Sequence, residues 1–323
     1  MKDLFKREIK YLRISLTELC NLRCRYCMPM EGVFKKKHED MLTQEEIITA
    51  VRAATKLGIN KIRLTGGEPL LKKNIVEIVS KIRDIDGVEE ICLTTNGTLL
   101  SKYAKDLKSA GLTRVNISLD TLNKEKFKYI TRIGELKDTL SGIDAALAED
   151  FKKIKLNTVL IGGFNDDEIV DIANLTLKQP TDVRFIELMP MYDSGDFKEN
   201  AFISYKVVIE KLKEVYKDGF IESERQKGSV ARLYKIKNAK ANIGLINPVT
   251  DLFCSECNRI RLTADGMIKP CLHSNKEIPI KGLDENEMVE KFKEAIYMKP
   301  EKHPPLSYDK RSKVKRRMNQ IGG

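Results

Sequence analysis

The sequence predicts an α/β protein: an incomplete (β/α)6 barrel of the TIM type, followed by a C-terminal α+β extension. Three observations lead to this prediction. Short β-rich runs alternate with amphipathic stretches of helical period from residue 11 to residue 190. Glycine, hydroxyl and amide residues cluster where these runs end. The alternation stops near residue 191, where shorter runs and a second group of cysteines begin.

Six β-rich runs and five helical stretches make up the alternating part. We expect strands at residues 11–16, 61–65, 91–95, 114–119, 155–161 and 183–188. A first helix is expected after Thr43, because Thr43 and Glu46 form a capping box and Gly58 follows the last turn. Further helices are expected at residues 74–83, 101–110, 136–148 and 166–177.

Closure of the barrel is not supported by the sequence, since a closed eight-stranded barrel needs two further strand–helix units that we do not find. An open doubly wound sheet is the alternative, which periodicity alone does not exclude. In either fold, ligands bind at the carboxyl ends of the strands. The first strand leads directly into a loop with three cysteines, so we expect that loop at the ligand-binding edge.

The C-terminal part has a different pattern. A helix is expected at residues 205–216, and antiparallel strands are expected near residue 220, at 229–236 and at 241–246. A short hairpin follows, with Ala264, Asp265 and Gly266 at its turn. We therefore expect a barrel domain at residues 1–190 and an auxiliary domain at 191–323, packed together because no low-complexity linker separates them.

The composition favours a cytoplasmic protein with an anionic ligand. A chain of 323 residues, 41% of them hydrophobic, is large enough for a substantial core. The beginning of the chain lacks the apolar segment of a signal peptide, and no apolar run approaches the length of a membrane span. Seven cysteines then suit a reducing compartment, in which thiols bind metals. The net charge of +11 favours nucleic acid or a small polyphosphate as partner.

Cys20, Cys24 and Cys27 offer three thiolates from one short loop, with the spacing C-x3-C-x2-C. Iron–sulfur cubes are normally held by four protein sulfurs, so three sulfurs leave one iron open to another ligand. A zinc knot is the alternative, but zinc sites usually contain cysteine pairs two or four residues apart with a fourth ligand nearby. The nearest histidine here is His38, in a basic stretch.

Polar motifs follow the other predicted strands. Gly66-Gly67-Glu68-Pro69 ends the second strand, and in isolation it predicts a turn. Hydroxyl and amide groups at strand ends suit ribose and amino-acid groups, although each is equally suited to capping the next helix. Met189 suits the core and a cofactor contact equally. The motifs lie at residues 94–97, 118–120, 160–165 and 187–190.

Cys254, Cys257 and Cys271 form a second group of three, with the spacing C-x2-C-x13-C. His273 is near enough in sequence to complete a Cys3His zinc site, which is the alternative to a second iron–sulfur cluster with an open iron. The seventh cysteine, Cys92, lies in an apolar run, and we expect it to be a buried core thiol.

Two arginines lie between the members of this second group. In a strand, Arg259 and Arg261 point to the same face, where two guanidinium groups form a suitable binding site for phosphates. A pair of solvent-exposed strand arginines is the ordinary alternative.

The loop C-N-L-R-C-R-Y-C, with G-G-E-P about 40 residues later, resembles the radical S-adenosylmethionine superfamily. Within that superfamily, F-C-x2-C-N-R-x-R-L-T-A-D-G, the later P-C-L and the Gly-Gly end resemble the GTP 3′,8-cyclase family, which begins molybdenum cofactor (molybdopterin) biosynthesis. The similarity covers essentially the whole chain.

The resemblance implies two [4Fe-4S] clusters and S-adenosylmethionine as cofactors, and GTP as substrate. Cys20, Cys24 and Cys27 would hold the cluster that cleaves S-adenosylmethionine. The other three cysteines would hold the cluster that binds the guanine of GTP, namely Cys254, Cys257 and Cys271. The implied cofactor-binding residues are Tyr26, Gly67, Ser118 and Met189. The implied GTP-binding residues are Arg13, Arg63, Thr94, Lys155, Arg259 and Arg261.

The resemblance also implies a reaction. Hydrogen is removed from C3′ of the ribose, C3′ bonds to C8 of guanine, and reduction gives (8S)-3′,8-cyclo-7,8-dihydroguanosine 5′-triphosphate. Catalytic roles are implied for Arg259, Arg261, Gly322 and Gly323, with the terminal glycines reaching into the active site.

Partners follow from the same resemblance. They are a low-potential electron donor of the flavodoxin or ferredoxin type and, downstream, cyclic pyranopterin monophosphate synthase. We expect no nucleic acid and no membrane partner, and a monomer or homodimer.

Two other functions compete with this interpretation. A radical S-adenosylmethionine enzyme that modifies a peptide also carries C-terminal clusters, but usually has more cysteines there and no reason for a Gly-Gly end. A metal-stabilised nucleic-acid-binding protein suits the charge, but the chain lacks tryptophan and shows no aromatic-rich stacking motif. Binding of GTP, of a peptide or of nucleic acid would distinguish the three.

Overall fold

Strand β1 (Tyr11–Ser15) has strands from both halves of the chain beside it. The computed structural model describes residues 1–33, 36–191, 201–224 and 230–322, and within them twelve strands form one sheet. The first six lie side by side in chain order, and all five pairings among them are parallel. They are β1, β2 (Lys61–Thr65), β3 (Glu90–Thr95), β4 (Arg114–Ser118), β5 (Lys153–Leu160) and β6 (Thr181–Glu187).

Strands from the C-terminal part extend this sheet at both sides. The remaining strands are β7 (Phe220–Ser223), β8 (Arg232–Ile236), β9 (Ile243–Ile246), β10 (Arg259–Leu262), β11 (Met267–Lys269) and β12 (Ile278–Pro279). β10 pairs in parallel with β1, and β9 pairs in parallel with β6. Antiparallel pairs continue outward, through β11 and β12 on one side and through β8 and β7 on the other.

Ten α-helices connect or cover the strands in the described ranges. They are α1 (Gln44–Thr55), α2 (Ile75–Arg83), α3 (Leu100–Ser109), α4 (Lys124–Thr131), α5 (Leu136–Ala148), α6 (Ile169–Ala173), α7 (Leu175–Lys178), α8 (Tyr205–Tyr216), α9 (Glu285–Tyr297) and α10 (Met318–Ile321). The predicted capping box of α1 is present, with the Thr43 hydroxyl accepting from the Glu46 N–H and the Glu46 carboxylate accepting from the Thr43 N–H.

The two faces of the parallel sheet differ in polarity. Leu12 and Ile14 of β1 are fully buried in the main hydrophobic core, together with the apolar sides of α1, α2, α3, α5 and α9. The alternate residues point to the other face. Those residues include Arg13 on β1, Lys61 and Arg63 on β2, Thr94 on β3, Asn116 and Ser118 on β4, and Lys155 and Asn157 on β5.

This polarity bears on the alternative fold. A doubly wound sheet has helices and apolar side chains on both faces, and its strand order reverses at a switch point. Here β1–β6 follow chain order and one face is polar. The part of the chain that the structure describes is therefore an α/β protein with a large, mainly parallel sheet and one helix-covered face.

Several sequence-based predictions of elements were incomplete. The expected helix at 166–177 begins later, because Glu168 is the N-cap of α6 and its carboxylate accepts hydrogen bonds from Thr121 and the Leu122 N–H. It is also divided at Asn174 into α6 and α7. Helices α4 and α9 were not predicted, although Asn123 caps α4 and Asp284 caps α9.

The C-terminal strands were predicted to be antiparallel, but two of them pair in parallel with strands of the central sheet. β8 pairs antiparallel with both β7 and β9, as predicted. The parallel pairing of β9 with β6 and of β10 with β1 was not predicted, because β10 lies about 250 residues from its partner and local patterns carry no information about such contacts.

Gly142 of α5 packs against the loop that follows β3. A Cβ atom at this position would lie 2.1 Å from the Gly97 carbonyl oxygen, which is a backbone atom. We expect Gly142→Ala to destabilise the protein by roughly 1–3 kcal/mol, because the clash outweighs the better helix propensity of alanine. The thermal unfolding midpoint measures this effect. The neighbouring exposed substitution Ser141→Ala is the control; an equal or higher midpoint for Gly142→Ala would contradict the close contact.

Candidate active site

The first cysteine group lies in the loop that follows β1. Cys20, Cys24 and Cys27 are half-buried, and none forms a disulfide. A turn places Cys24 and Cys27 together, since the Cys27 N–H donates to the Cys24 carbonyl over 2.9 Å. The loop is fastened to the end of α4 by two backbone bonds, from the N–H groups of Arg23 and Arg25.

The environment of these thiols suits ligands of a buried metal cluster. Burial raises the pKa of Cys20, raises that of Cys24 well above its ordinary value, and brings that of Cys27 to about 12. Without a cationic centre, the three therefore remain neutral thiols. A bound iron supplies that positive charge and stabilises the thiolates, so the donor set fits an iron–sulfur cluster.

Gly66 and Gly67 allow the loop after β2 to approach the chain just before the cysteines. A Cβ on Gly66 would lie 2.6 Å from the Thr17 carbonyl oxygen, and one on Gly67 would lie 2.3 Å from that of Leu19. The Gly67 N–H donates to the Thr17 carbonyl over 2.7 Å. The glycines are thus needed for chain-to-chain packing, a reason additional to the predicted approach of a ligand.

Glu68 of the same motif joins two strand-end loops, a role that the sequence analysis missed. Its fully buried carboxylate accepts hydrogen bonds from the Thr95 hydroxyl and from the N–H groups of Leu70 and Asn96. Burial raises its pKa to about 7, although these donors lower it. Asn96 in turn directs its amide toward the Cys20 sulfur at 3.8 Å. Glu68 therefore helps to hold the first cysteine group.

Tyr26 lies beside the cysteines and donates a hydrogen bond to Asp120 over 2.7 Å. Burial raises the pKa of Asp120 to about 6, and its other oxygen accepts from the Val159 N–H. Asn165 completes the network by donating to the carbonyls of Asp120 and Val159. The predicted motifs at residues 118–120 and 160–165 thus meet at the side chain of Tyr26.

The remaining predicted cofactor residues lie at neighbouring strand ends. Ser118 ends β4 and is in register with Asn157 of β5, whose buried Oδ1 has no hydrogen-bond partner in the described part of the chain. Met189 packs against a small cluster, separate from the main core, that is formed by Met191 and by Val314 and Ile321 near the end of the chain.

The polar face carries a row of guanidinium groups. Arg261, Arg13 and Arg63 occupy the same register level on β10, β1 and β2. Arg63 donates to the Tyr11 hydroxyl and, over 3.1 Å, to the Thr94 hydroxyl. Burial and the Arg261 charge lower the pKa of Arg13 well below its usual value. Four of the predicted GTP-binding residues therefore lie close together on one surface.

Arg259 and Lys155 lie elsewhere on the same face. The Arg259 guanidinium lies 5.6 Å from the centre of the Tyr11 ring. Lys155, on β5, forms a 3.2 Å ion pair with Asp182, and burial together with the Arg184 charge lowers its pKa to about 7.

Further residues on this face were missed by the sequence analysis. Arg184 and Asn157 are in register on β6 and β5, and among the described residues the buried Arg184 Nε and Asn157 Oδ1 have no hydrogen-bond partner. Burial and the Arg63 charge lower the pKa of Arg184 to about 10. The strict alternation in K-I-R-L-T, R-V-N-I-S and K-I-K-L-N could have revealed this face, because parallel strands with two buried apolar faces are nearly continuously hydrophobic.

Cys92 also lies on the polar side of β3, in register with Arg63. It is fully buried among the core residues, so the prediction of a buried core thiol is confirmed. Its register adds that its neighbour on β2 is an arginine, which the sequence analysis did not predict.

The second cysteine group lies at the opposite end of the same strand pair. Cys257 lies two residues before the first residue of β10, and the intervening Asn258 carbonyl accepts from the N–H groups of Lys10 and Tyr11, at the start of β1. Cys271 follows β11, which runs antiparallel to β10. The first group follows the carboxyl end of β1, so the two groups lie at opposite ends of the parallel strands, on either side of the polar residues.

Cations surround the second group. Burial raises the pKa of Cys257, but the charges of Lys299 and Arg259 outweigh burial and bring it to about 7. His273, the alternative fourth zinc ligand, shares a 2.9 Å hydrogen bond with the Ser312 hydroxyl through Nδ1. In the described ranges, no three His, Cys, Asp or Glu side chains lie close enough to share one metal ion. Cluster ligands need not converge in that way, because each binds a different iron.

The C-terminal tail crosses the polar face. The Gly322 carbonyl accepts from Arg13 over 3.2 Å and from Arg261 over 2.7 Å. A Cβ on Gly322 would lie 2.5 Å from Thr65 Cγ2, and its φ is +69°, so glycine is required at this position. Gly322, predicted to be a site residue, is thus in contact with two of the predicted GTP-binding arginines, whereas Gly323 lies outside the described residues.

The tail and the first cysteine loop enclose a cavity of about 200 Å3. Tyr26 and Cys27 line one side of it, and residues 314–318 line the other. Arg316 anchors the tail there through a two-pronged contact with Glu277, each bond 2.7 Å long, and a further pair of bonds to Asp265. The basic stretch near the end of the chain is therefore docked on the body of the protein.

Two family models match this chain. The model of the Radical SAM superfamily matches residues 14–176, and the model described as Molybdenum Cofactor Synthesis C matches residues 181–305. The first match covers half of the chain and includes the three-cysteine loop and the G-G-E-P motif. The chain is therefore a member of the radical S-adenosylmethionine superfamily, whose members use a [4Fe-4S] cluster and S-adenosylmethionine.

Relatives of the same length show to which family within this superfamily the chain belongs. A GTP 3′,8-cyclase of Alkaliphilus oremlandii is 48% identical over 100% of both chains. One of Peptoclostridium acidaminophilum is 50% identical over 99% of this chain and 98% of its own. One of Moorella thermoacetica is 45% identical over 100% of both. This chain belongs to the GTP 3′,8-cyclase family.

Solved structures agree on the fold. Streptococcus suis SuiB superposes with a TM-score of 0.65 at 13% identity, over 84% of this chain and 63% of SuiB. The structure of anSMEcpe with bound AdoMet superposes with a TM-score of 0.58 at 15% identity, over 88% of this chain and 82% of that one. Within the described ranges, no helix has the length and hydrophobicity that crossing a membrane requires.

The buried carboxyl of Glu68 makes stability depend on pH. Its pKa is about 7 in the folded protein and 4.5 ordinarily, so the unfolded chain releases this proton first as the pH rises. Wild-type stability should therefore fall, relative to Glu68→Gln, between about pH 4.5 and pH 7, by roughly 1–3 kcal/mol, and the difference should level off above that range. Thermal midpoints across the range measure it.

The exposed substitution Glu89→Gln corrects for general effects of losing one carboxylate. A wild-type stability that rises or stays constant relative to Glu68→Gln across this pH range would contradict the buried, hard-to-ionise carboxyl.

Proposed function

We propose that this protein converts GTP to (8S)-3′,8-cyclo-7,8-dihydroguanosine 5′-triphosphate, the first step of molybdenum cofactor biosynthesis, with two [4Fe-4S] clusters and S-adenosylmethionine. One observation carries the proposal. Arg261, Arg13 and Arg63 form a row of guanidinium groups on three neighbouring strands. One group of three cysteines lies beyond the carboxyl end of these strands and the other lies beyond their amino end. That arrangement suits an anionic nucleotide held between two clusters.

The distances along the sheet are compatible with such a substrate. β10 has four residues, which corresponds to roughly 13 Å along the strand direction. A nucleoside triphosphate extended over the polar face would reach from one edge of the sheet toward the other. Its base would lie at the second cysteine group and its ribose nearer the first.

We assign the cluster that binds S-adenosylmethionine to Cys20, Cys24 and Cys27. When bound, this cluster and S-adenosylmethionine supply the carbon radical that removes hydrogen from C3′ of the ribose. The side chains of Tyr26, Ser118 and Met189 and the backbone at Gly67 would orient the cofactor. Their position at adjacent strand ends, around a 200 Å3 cavity that includes Tyr26 and Cys27, supports this assignment.

We assign the second cluster, which would bind guanine, to Cys254, Cys257 and Cys271. The cations near Cys257 support a thiolate-bound, anionic centre there. Arg13, Arg63, Thr94, Lys155, Arg259 and Arg261 would bind GTP. The unpartnered buried atoms Arg184 Nε and Asn157 Oδ1 support a polar ligand on this face, because buried polar groups are normally hydrogen-bonded.

The catalytic contribution of the protein is then mainly positional. Arg259, Arg261, Gly322 and Gly323 are assigned to the reaction: the arginines would orient the nucleotide, and the glycine tail would close the site. Holding C3′ near C8 replaces a random encounter by a preorganised one and keeps water out.

The fold and domain boundaries belong to the same proposal. We infer that β1–β6 with their helices form an incomplete (β/α)6 barrel at residues 1–190, and that residues 191–323 form the auxiliary-cluster and GTP-binding domain. The chain-ordered strands and the single helix-covered face support a barrel-like curvature.

We further expect a low-potential donor of the flavodoxin or ferredoxin type, transfer of the product to cyclic pyranopterin monophosphate synthase, and a cytoplasmic monomer or homodimer.

Removing a ligand of the first cluster should stop all chemistry. We expect Cys24→Ala to abolish both cleavage of S-adenosylmethionine and cyclisation of GTP, because the cluster that delivers the electron loses a ligand. Anaerobic assay of 5′-deoxyadenosine and of the cyclised nucleotide measures both. Cys92→Ala is the control and should keep the iron content of the parent; 5′-deoxyadenosine formation by Cys24→Ala would contradict the assignment.

Removing a ligand of the second cluster should separate the two activities. We expect Cys257→Ala to lower the rate of cyclisation by about 100-fold or more, because GTP is no longer held in the reactive position. Cleavage of S-adenosylmethionine should remain detectable. Retained cyclisation would refute the role given to the second cluster, and cleavage that depends on a peptide and ignores GTP would favour the peptide-modifying alternative.

A further inference from the structure

Lys299 lies two residues beyond the end of α9 and is almost completely buried, with 4% of its surface exposed. The helix that precedes it is locked into the main core by Met288, Phe292 and Ile296. The position of Lys299 is therefore set by the packing of α9, and its side chain reaches from there into the second cysteine group.

All three hydrogen-bond donors of the Lys299 ammonium have partners in that group. Nζ donates to the Cys257 sulfur at 3.5 Å, to the Arg259 carbonyl at 2.9 Å and to the Pro270 carbonyl at 3.0 Å. Pro270 directly precedes Cys271. One side chain thus connects the segment that carries Cys257 with the segment that carries Cys271.

The charge of Lys299 has no carboxylate partner within the described ranges, where its polar contacts are two carbonyl oxygens and a sulfur. A buried ammonium needs a nearby negative charge, because neutral oxygens replace only part of its hydration. The nearest group that can supply such a charge is the Cys257 thiolate. A cluster bound by three thiolates would add further negative charge at the same place.

We propose that Lys299 is the positioning residue and buried counter-ion of the second iron–sulfur cluster. The inference rests on the proposed function, in that it requires this cluster. Lys299 holds two cysteine-bearing segments at a fixed separation and stabilises the additional negative charge of the reduced cluster, so it raises the reduction potential of that cluster.

A second contact shows that the same short segment holds the remaining cysteine. Arg7 donates to the Cys254 carbonyl at 2.8 Å, and also to the carbonyls of Pro300 and Glu301. Residues 299–301 are therefore linked to all three parts of the second group. Arg7 differs from Lys299 because its contacts with the cysteine group and with residues 300–301 are to carbonyl oxygens, and because a carboxylate, that of Asp3, pairs with it at 2.6 Å.

The first cysteine group also has a cation nearby, but burial, which raises the pKa of Cys20, outweighs the charge of Arg23, which lowers it. The recorded hydrogen bonds of the Arg23 guanidinium go to the Cys20 and Leu22 carbonyls, within the part of the chain that the structure describes. The Cys20 sulfur accepts from the Asn96 amide and the Leu22 N–H, which are neutral donors. The negative Asp120 raises the pKa of Cys24 further, after burial. Burial therefore dominates at the cysteines of the first group, whereas cations together outweigh it at Cys257, and removal of the Lys299 charge should affect the second cluster and not the first.

The test compares Lys299→Met, which keeps length and removes charge, with Lys299→Arg, which keeps charge. Lys302→Met, at an exposed lysine three residues further on, is the matched control. Each full-length protein is reconstituted anaerobically, and iron and sulfide per chain are measured. The midpoint potential of the second cluster is read by EPR-monitored titration in the Cys24→Ala background, which isolates that cluster.

We expect Lys299→Met to shift this midpoint to more negative values, or to lose about half of the iron, the share of one of two cubes. Lys299→Arg should have a midpoint potential close to that of the parent, because it keeps the charge. Lys302→Met should match the parent in both midpoint potential and iron content. Full iron content with an unshifted midpoint in Lys299→Met would overturn the proposal. Loss of both clusters in Lys299→Met that Lys299→Arg does not reverse would also overturn it, since only packing would then be involved.

The same measurements separate this inference from the proposed function. A parent protein that holds two clusters but forms no 5′-deoxyadenosine in response to GTP would refute the proposed function. The Lys299 variants could still be compared with it in iron content and midpoint potential. A parent that holds a single cluster would sink both.

Discussion

Burial of several cations on one face of a parallel sheet is the constraint on which this structure depends. Arg261, Arg13 and Arg63 lie side by side on three neighbouring strands, and burial with mutual repulsion lowers the pKa of Arg13 and Arg261. Such a row persists only where oxygen atoms or anions face it. The Tyr11 hydroxyl and the Gly322 carbonyl supply part of that requirement, and the phosphates of the proposed substrate would supply more.

The parallel pairing of β10 with β1 places one cysteine group at each end of the strands that carry the arginine row. Because the strands are parallel, a cysteine group that precedes β10 and another that follows β1 must lie at opposite edges of the sheet. The electrostatics differ accordingly: burial dominates at Cys27, whereas Lys299 and Arg259 stabilise the thiolate of Cys257. A radical-generating centre and a substrate-binding centre require this kind of separation, since each must bind its own small molecule without obstructing the other.

The C-terminal tail completes the enclosure without forming part of the main core. Arg316 fastens it to Glu277 and Asp265, and Gly322 enters a space that no larger residue could occupy. The tail also reaches the first cysteine loop, where it lines one side of the cavity beside Cys27. Several of its residues are nonetheless buried, among them Val314 and Ile321, so the tail is packed against the body of the protein by apolar contacts as well as by polar ones.

Local patterns in the chain were enough to identify α1 from its Thr43 cap, the six central strands, both cysteine groups and the family to which they belong. These features depend on neighbours within a few residues, so periodicity, caps and motif spacing report them. Lys299, Tyr11 and Arg184 escaped notice because their roles arise from contacts between segments far apart in the chain, such as the 42 residues between Lys299 and Cys257. Folding alone brings those groups together, since burial and register between distant strands are properties of the assembled sheet.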